Sequence, residues 1–212
     1  IGLTQTICYN TSPNPLTQVT APSGGTGTYT YQWQSSPDNS VWKDIPGAIL
    51  SDYSPTVLTT NTYFRRTVTS GTYTPVHSNA ILITVSPQVT LAQLHDNIFI
   101  ENNTSANFNV AIFGGTSPYT VHYTVNGAAQ PAITNYISGE NISTGVLSVG
   151  TYVYALASVT DAHGCAAQSL GTNITVTVAV NGNLTAGTIG SEQSICYNST
   201  PNLLTQVTAP TG

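Results

Sequence analysis

The chain carries the opening of its own second copy. Residues 1–24 (IGLTQTICYNTSPNPLTQVTAPSG) return without a gap as residues 189–212 (IGSEQSICYNSTPNLLTQVTAPTG), with 17 of 24 positions identical. A period of 188 residues matched this closely means tandem repetition, and the sequence reads as a window on a longer repetitive chain. The period is far longer than the roughly 20–50 residues of a solenoid unit. It divides instead into two domains of about 94 residues, each of ordinary domain size. Serial copies serve stalks, fibres and multivalent surfaces better than they serve enzymes.

Composition narrows the fold. Charged residues make up only 5% of the chain, against a typical ~25%, and Thr alone occurs 35 times. Hydrophobic residues, at 40%, are too many for a disordered linker. Thr, Val, Ile and Tyr are abundant and good helix formers scarce, so the local preference is for strands. The net charge is −5, and Lys43, Arg65 and Arg66 are the only Lys or Arg residues. So few cations cannot neutralise a phosphate backbone, which excludes nucleic-acid binding, or hold the chain to an anionic membrane surface. No apolar run approaches the ~18 residues of a membrane span, so no membrane insertion is expected. A neutral Thr/Asn surface without Met suits a durable extracellular protein.

Apolar residues alternate over short stretches, and no segment keeps a helical period. Tyr29, Tyr31 and Trp33 alternate with Thr and Gln, as a strand with aromatics on one face does. Ser36-Pro37-Asp38-Asn39 is a turn by composition. Strands follow over Tyr63–Thr69 and through Ile81, Ile83 and Val85, and Ser86-Pro87 then breaks the pattern. The plan recurs further on. Gly24-Gly25-Thr26, Tyr29 and Trp33 match Gly114-Gly115-Thr116, Tyr119 and Tyr123 at an offset of 90. Thr62-Tyr63 matches Thr151-Tyr152 at 89, and Ile81, Ile83 and Val85 match Ile174, Val176 and Val178 at 93. The expected architecture is therefore all-β: tandem antiparallel sandwiches of immunoglobulin type at 1–86 and 87–181, with a truncated copy of the first domain at 182–212. The short linkers, the second at Asn181-Gly182-Asn183, predict stacked rather than freely tumbling neighbours.

Trp33 falls where an immunoglobulin strand C keeps its buried Trp, and Tyr63 at the tyrosine-corner position. The residue two beyond Tyr63 is Arg65, not Cys, so the antibody inter-sheet disulfide is absent. Several runs then carry a specific resemblance: Gln5-Thr6-Ile7-Cys8-Tyr9, Tyr31-Gln32-Trp33-Gln34-Ser35-Ser36-Pro37-Asp38, Trp42-Lys43-Asp44-Ile45 and Thr62-Tyr63-Phe64-Arg65-Arg66. They resemble the Ig-like repeats of giant Bacteroidetes surface proteins. Gly150-Thr151-Tyr152 and Val159-Thr160-Asp161-Ala162-His163-Gly164-Cys165 resemble the repeats of gliding-motility adhesins from the same bacteria. The resemblance implies secretion by the type IX route and retention at the cell surface. It also implies a partner for Cys8 near Gly71, where Tyr73-Thr74 supplies none.

One period holds Cys8 and Cys165, and Cys196 copies Cys8. In sandwiches stacked end to end, Cys8 and Cys165 are expected to lie beyond the ~7 Å reach of a disulfide. Two readings remain for them: buried free thiols acting as small hydrophobes, or lateral disulfides between neighbouring chains.

Candidate chemistry is sparse. Asp161, His163 and Cys165 form a nucleophile-like trio, but Asp-x-x-Gly between two strands is what a turn requires. Asp96, Asn97, Glu101, Asn102 and Asn103 could supply oxygens to calcium at the junction of the two domains, although a solvated edge explains them as well. Arg65 and Arg66 face opposite sides of a strand and are expected to pair with Asp44 or Asp52. Trp42, Tyr73 and Tyr136 are candidates to stack on sugar rings, although Trp42, just before Lys43-Asp44-Ile45, fits the core of a second strand equally well. No catalytic, cofactor-binding or metal-ligating residue is assigned, and no cofactor. The sequence reads as a non-enzymatic structural segment of an extracellular fibre or adhesin stalk on the cell surface, whose partners are neighbouring repeats, with lateral self-association into filaments as a further expectation. The competing reading is a multivalent module that binds polysaccharide or other cells.

Overall fold

A computed structural model describes residues 1–95, 98–171 and 184–210, and the backbone of 176–181. Sequence expectations placed on Asp96, Asn97, Ile174 and the Gly182-Asn183 linker lie outside these residues.

The described residues form strands and turns, with no helix. The first six strands are β1 (Gln5–Cys8), β2 (Thr30–Ser36), β3 (Lys43–Asp44), β4 (Thr62–Thr69), β5 (Val76–His77) and β6 (Ile81–Ser86). They make one sheet in the order β1-β6-β4-β2-β3, with β5 also on β4. Alternation works as the sequence predicts: Phe64, Arg66, Val68 and Ser70 of β4 and its end point inward, as do Ile81 and Ile83 of β6. The facing layer is thin, held to itself by the bridges Thr11↔Leu58 and Leu16↔Tyr53. Between the layers Trp33 is fully buried and donates its indole N–H to the Leu50 carbonyl at 3.0 Å. Tyr53 and then Phe64 continue the stack, with ring centroids 5.6 and 5.9 Å apart.

The second sandwich follows after Pro87 and Gln88. Its strands are β7 (Val89–Leu94), β8 (Ile98–Glu101), β9 (Thr104–Phe108), β10 (Val110–Gly114), β11 (Tyr119–Val125), β12 (Ala128–Ala129), β13 (Ile133–Tyr136), β14 (Ile142–Leu147), β15 (Gly150–Thr160) and β16 (Val176–Asn181). The main sheet runs β12-β11-β15-β16-β8, with β13 on β11, and β10-β7 and β14-β9 form the facing layer. Val89, Leu94, Val110, Val121 and Val159 fill the core with almost no exposure. In the copied segment, β17 (Thr188–Ile189) pairs with β18 (Gln206–Thr208).

The tandem immunoglobulin-like architecture is as expected, with two adjustments. Each main sheet contains one parallel pair, β1 with β6 and β8 with β16. In the second sandwich the cause is plain: the entering chain lies first on the facing layer as β7, antiparallel to β10, then crosses to the main sheet as β8. The offsets also move. Phe64 pairs with Ile81, and Tyr154 with Val176, so Phe64 matches Tyr154 and Ile81 matches Val176. Matching by residue type had put Tyr63 on Tyr152 and Ile81 on Ile174. Register is decided by the buried face, and Phe64 and Tyr154 are the buried residues. The corner hydrogen bond belongs to the second sandwich, where Tyr152 donates to the Ser148 carbonyl at 3.3 Å. Among the described residues no hydrogen bond of the Tyr63 hydroxyl is found.

Candidate functional site at the junction of the sandwiches

β6 ends at Ser86 because Pro87 has no N–H to continue the ladder. Parallel pairing of β1 with β6 sets Cys8 level with Ser86. From the other side, β15 ends at Thr160 and turns through Asp161–Gly164, with the Gly164 N–H donating to the Asp161 carbonyl at 2.9 Å. The turn brings Cys165 against Cys8, with Cα atoms 5.4 Å apart, and the two form a disulfide. This overturns both earlier readings of these cysteines. They lie in different sandwiches, as expected. With only Pro87 and Gln88 between β6 and β7, however, the β15 turn folds back onto the end of the first sheet. Cys196 is free and exposed.

Asp161 is buried at the centre of this contact. Its Oδ1 accepts the backbone N–H groups of His163 and Cys165, both at 2.9 Å. Its Oδ2 accepts the Thr116 N–H and the Ser86 hydroxyl, both at 3.1 Å. Ser86 Oγ also lies 3.1 Å from His163 Nδ1. Serine, histidine and aspartate thus meet, but not as a hydrolytic triad, in which the acid orients the imidazole and the imidazole the hydroxyl. Here the acid holds backbone amides and the hydroxyl itself, and Ser86 is 1% exposed. The turn reading of Asp161 holds, extended by one bond across the junction. Ser86 escaped sequence reasoning because Ser-Pro at a strand end reads as punctuation.

Two glycines let the chain that enters the second sandwich pass close to the end of β10. Gly114 and Gly115 both have positive φ, and a Cβ would run into the Gln88 carbonyl at Gly114 and into Val89 at Gly115. The Gly115 N–H donates to that Gln88 carbonyl at 3.0 Å. Tyr119 donates to the Gly114 carbonyl at 2.7 Å, and burial, with the nearby Asp161 charge second, pushes its phenol pKa up.

The remaining candidates do not converge. The guanidinium of Arg65 lies 4.2 Å over the Trp42 ring and donates to Gln34, which in turn donates to Asp44, so Arg65 meets Asp44 only through an amide. Arg66 is the buried one, 4.4 Å over Tyr31, and donates to the Ser51 carbonyl. Asp52 instead accepts the Gln18 N–H at 2.8 Å. The expected ion pairs are therefore not formed. Tyr136 is buried, its hydroxyl accepting the Val110 N–H at 2.8 Å and donating to the Glu140 carbonyl at 2.7 Å, which removes it as a sugar platform. Of the three aromatic candidates, Tyr73 is the exposed one. Glu101 pairs with Asn181, and Gly150 with Val180, so the Glu101–Thr104 turn lies at the end of the sheet away from the junction. Among the described residues no group of three or more His, Cys, Asp or Glu could hold a metal ion.

Residues 1–87 match a family model described as "Domain of unknown function (DUF8696)". No curated protein matches the chain. Among solved structures the chain is similar to the N-terminal eight Ig domains of Down Syndrome Cell Adhesion Molecule, at 12% identity over 89% of this chain and 27% of that one, with a TM-score of 0.37. It is similar also to the fibronectin(III)-like modules of Clostridium thermocellum CbhA, at 9% identity over 85% and 90%, with a TM-score of 0.39. A third likeness is to a 1.5-MDa bacterial ice-binding adhesin, at 14% identity over 79% and 58%, with a TM-score of 0.38. The chain thus spans about a quarter of the length of the first of these.

Proposed function

We propose that this chain is a structural repeat segment of an extracellular, cell-surface fibre or adhesin stalk, in which pairs of sandwiches act as rigid spacers. Domain limits at 1–86 and 87–181, export by the type IX route and partnership with neighbouring repeats belong to the same reading. The observation that carries it is the Cys8–Cys165 disulfide, which joins the two sandwiches beside the buried Asp161–Ser86 contact. A covalent bond between the two domains gives a spacer resistance to bending. Both cysteines of one period are used at this junction, so the array alternates a stapled joint with one that lacks a staple. Small-angle X-ray scattering of the chain and of a Cys8→Ser/Cys165→Ser variant tests this. The expected native particle is rod-like, with two sandwiches of ~40 Å in line, and the variant spreads to a broader distribution of lengths. Indistinguishable, broad profiles for both proteins would refute the spacer reading.

A further inference from the structure

Beside the first sandwich runs an open groove of about 420 Å³, lined by Thr20, Gly25, Arg66, Val68, Tyr73 and Val76 among others. Its walls are unusual for a finished sandwich. Tyr73 and Val76 are 61% and 62% exposed. Arg66 is buried, yet its Nε has no partner, and its side chain makes a single hydrogen bond among the described residues. In the second sandwich the matching position, opposite Tyr123 as Arg66 is opposite Trp33, is the apolar Leu156.

The second sandwich shows what fills such a place. The two ends are built alike: Tyr29 donates to Gly24, and Tyr119 to Gly114, both at 2.7 Å. The Thr26 N–H donates to Ser70 Oγ at 2.9 Å, as the Thr116 N–H does to Asp161 at 3.1 Å. Over Gly115, however, lies the start of β7, with Val89 fully buried. β7 is held on both edges: it pairs with β10, and on its other side Gln168 N–H donates to the Val89 carbonyl at 2.8 Å while Ala92 N–H donates to Ser169 at 3.0 Å. Among residues 1–88 nothing corresponds to β7. The groove is its vacant seat.

The copied segment names the occupant. Val89 stands nine residues before Ile98, and Leu184 nine before Gln193, the copy of Gln5. Ile98 and Gln5 hold equivalent places beside the last strands of their sheets. In the copy, Thr188 pairs with Thr208, and Gly190 N–H donates to Thr205 at 2.9 Å. In the first sandwich the Gly2 N–H donates to Thr17 at 3.1 Å, the same bond 188 residues earlier. A strand continuing upstream in that register runs along Thr20 and into the groove. We propose that the groove is a strand-docking site and that its occupant has the sequence Leu184-Thr185-Ala186-Gly187-Thr188, the segment standing before the second copy of the repeat. The strand adds main-chain hydrogen bonds by β-augmentation. Leu184 takes the place of Val89, and a strand carbonyl meets the unpartnered Arg66 donor. This deepens the spacer reading and rests on its tandem arrangement: each repeat is completed by the strand before it.

The test fuses Leu-Thr-Ala-Gly-Thr ahead of Ile1 of the full chain and follows Trp fluorescence, since Trp33 and Trp42 both lie in the first sandwich. The expected result is a rise of at least ~5 °C in the melting midpoint seen by Trp. A synthetic Leu184–Gly190 peptide is expected to shift the NMR signals of Tyr73 and His77 saturably in the unfused chain and to leave them unmoved in the fused one. A peptide with Pro in place of Ala186 is expected not to bind. An unchanged melting midpoint together with an inert peptide would overturn the proposal, as would glucuronate shifting Tyr73 in the fused chain, which would make the groove a sugar site. None of these outcomes depends on how stiff the disulfide-linked junction is.

Discussion

Removing the carboxylate of Asp161 tests the junction most directly. The group accepts four hydrogen bonds, at 2.9, 2.9, 3.1 and 3.1 Å. Hydrogen bonds to a charged group contribute roughly 1.5–3 kcal/mol each, and a buried donor left alone costs about 1–3 kcal/mol. His163 is in an exposed part of the turn, so its amide recovers a water in the variant. The Thr116 and Cys165 amides and the Ser86 hydroxyl do not recover one so easily. Asp161→Ala is therefore expected to cost about 4 kcal/mol, a large part of the ~5–15 kcal/mol that holds a domain together. At an m-value near ~2 kcal/mol/M the urea midpoint of the second sandwich falls by about 2 M. The assay is urea unfolding followed by far-UV circular dichroism and Trp fluorescence in parallel. The first signal reports both sandwiches and the second only the first sandwich, which holds both Trp residues. The circular dichroism transition is expected to split, its early part moving down, while the Trp transition moves by no more than about 1 kcal/mol through Ser86. Asp161→Asn, which turns an N–H₂ toward amide donors, is expected to cost nearly as much, and Ser86→Ala about 1 kcal/mol. A loss below about 1 kcal/mol for Asp161→Ala would show that the carboxylate does not organise the turn.

Four further outcomes are expected. Peptide mapping without reductant finds Cys8 linked to Cys165, and thiol titration of the folded chain finds one reactive group, Cys196; reduction costs at most about 5 kcal/mol for a crosslink spanning 157 residues, read from the urea midpoint. Gly115→Ala destabilises the second sandwich by at least about 2 kcal/mol, because its φ of 72° is strained for Ala and the new Cβ meets Val89; a melting scan within error of wild type contradicts this. Tyr136→Phe leaves the Val110 amide without its 2.8 Å partner and costs about 1–3 kcal/mol by chemical denaturation. Burial raises the pKa of Tyr53, Tyr119, Tyr136 and Tyr154, so their contribution is complete below about pH 10 and is lost as the pH climbs above it. Absorbance at 295 nm is then expected to show these phenols ionising together with loss of the fold, and smooth ionisation of a still-folded chain would refute the link.

The repeat within the chain separates local from long-range causes. In the copy, Gln193 and Asn202 exchange the same two hydrogen bonds as Gln5 and Asn14, and Ser199 bonds the Cys196 carbonyl as Thr11 bonds that of Cys8. Asn198 keeps the positive φ of Asn10. Those turns form without the rest of the sandwich, so short-range side-chain chemistry is enough to specify them. The strand β1 is different. It is a strand through its parallel pairing with β6, Gln5 beside Ile83, whereas the residues around Cys196 are not in a strand. By itself the sequence determined the all-β class, the tandem plan, the core Trp33 and the turn at Asp161, since alternation and turn residues act over a few positions. Tertiary structure alone decided the rest. The partner of Cys8 lies 157 residues away, the buried Arg is Arg66 rather than Arg65, and the Ser86–Asp161 bond crosses between sandwiches. Each of these depends on which distant surfaces the fold presses together, and residue spacing along a strand carries no record of that.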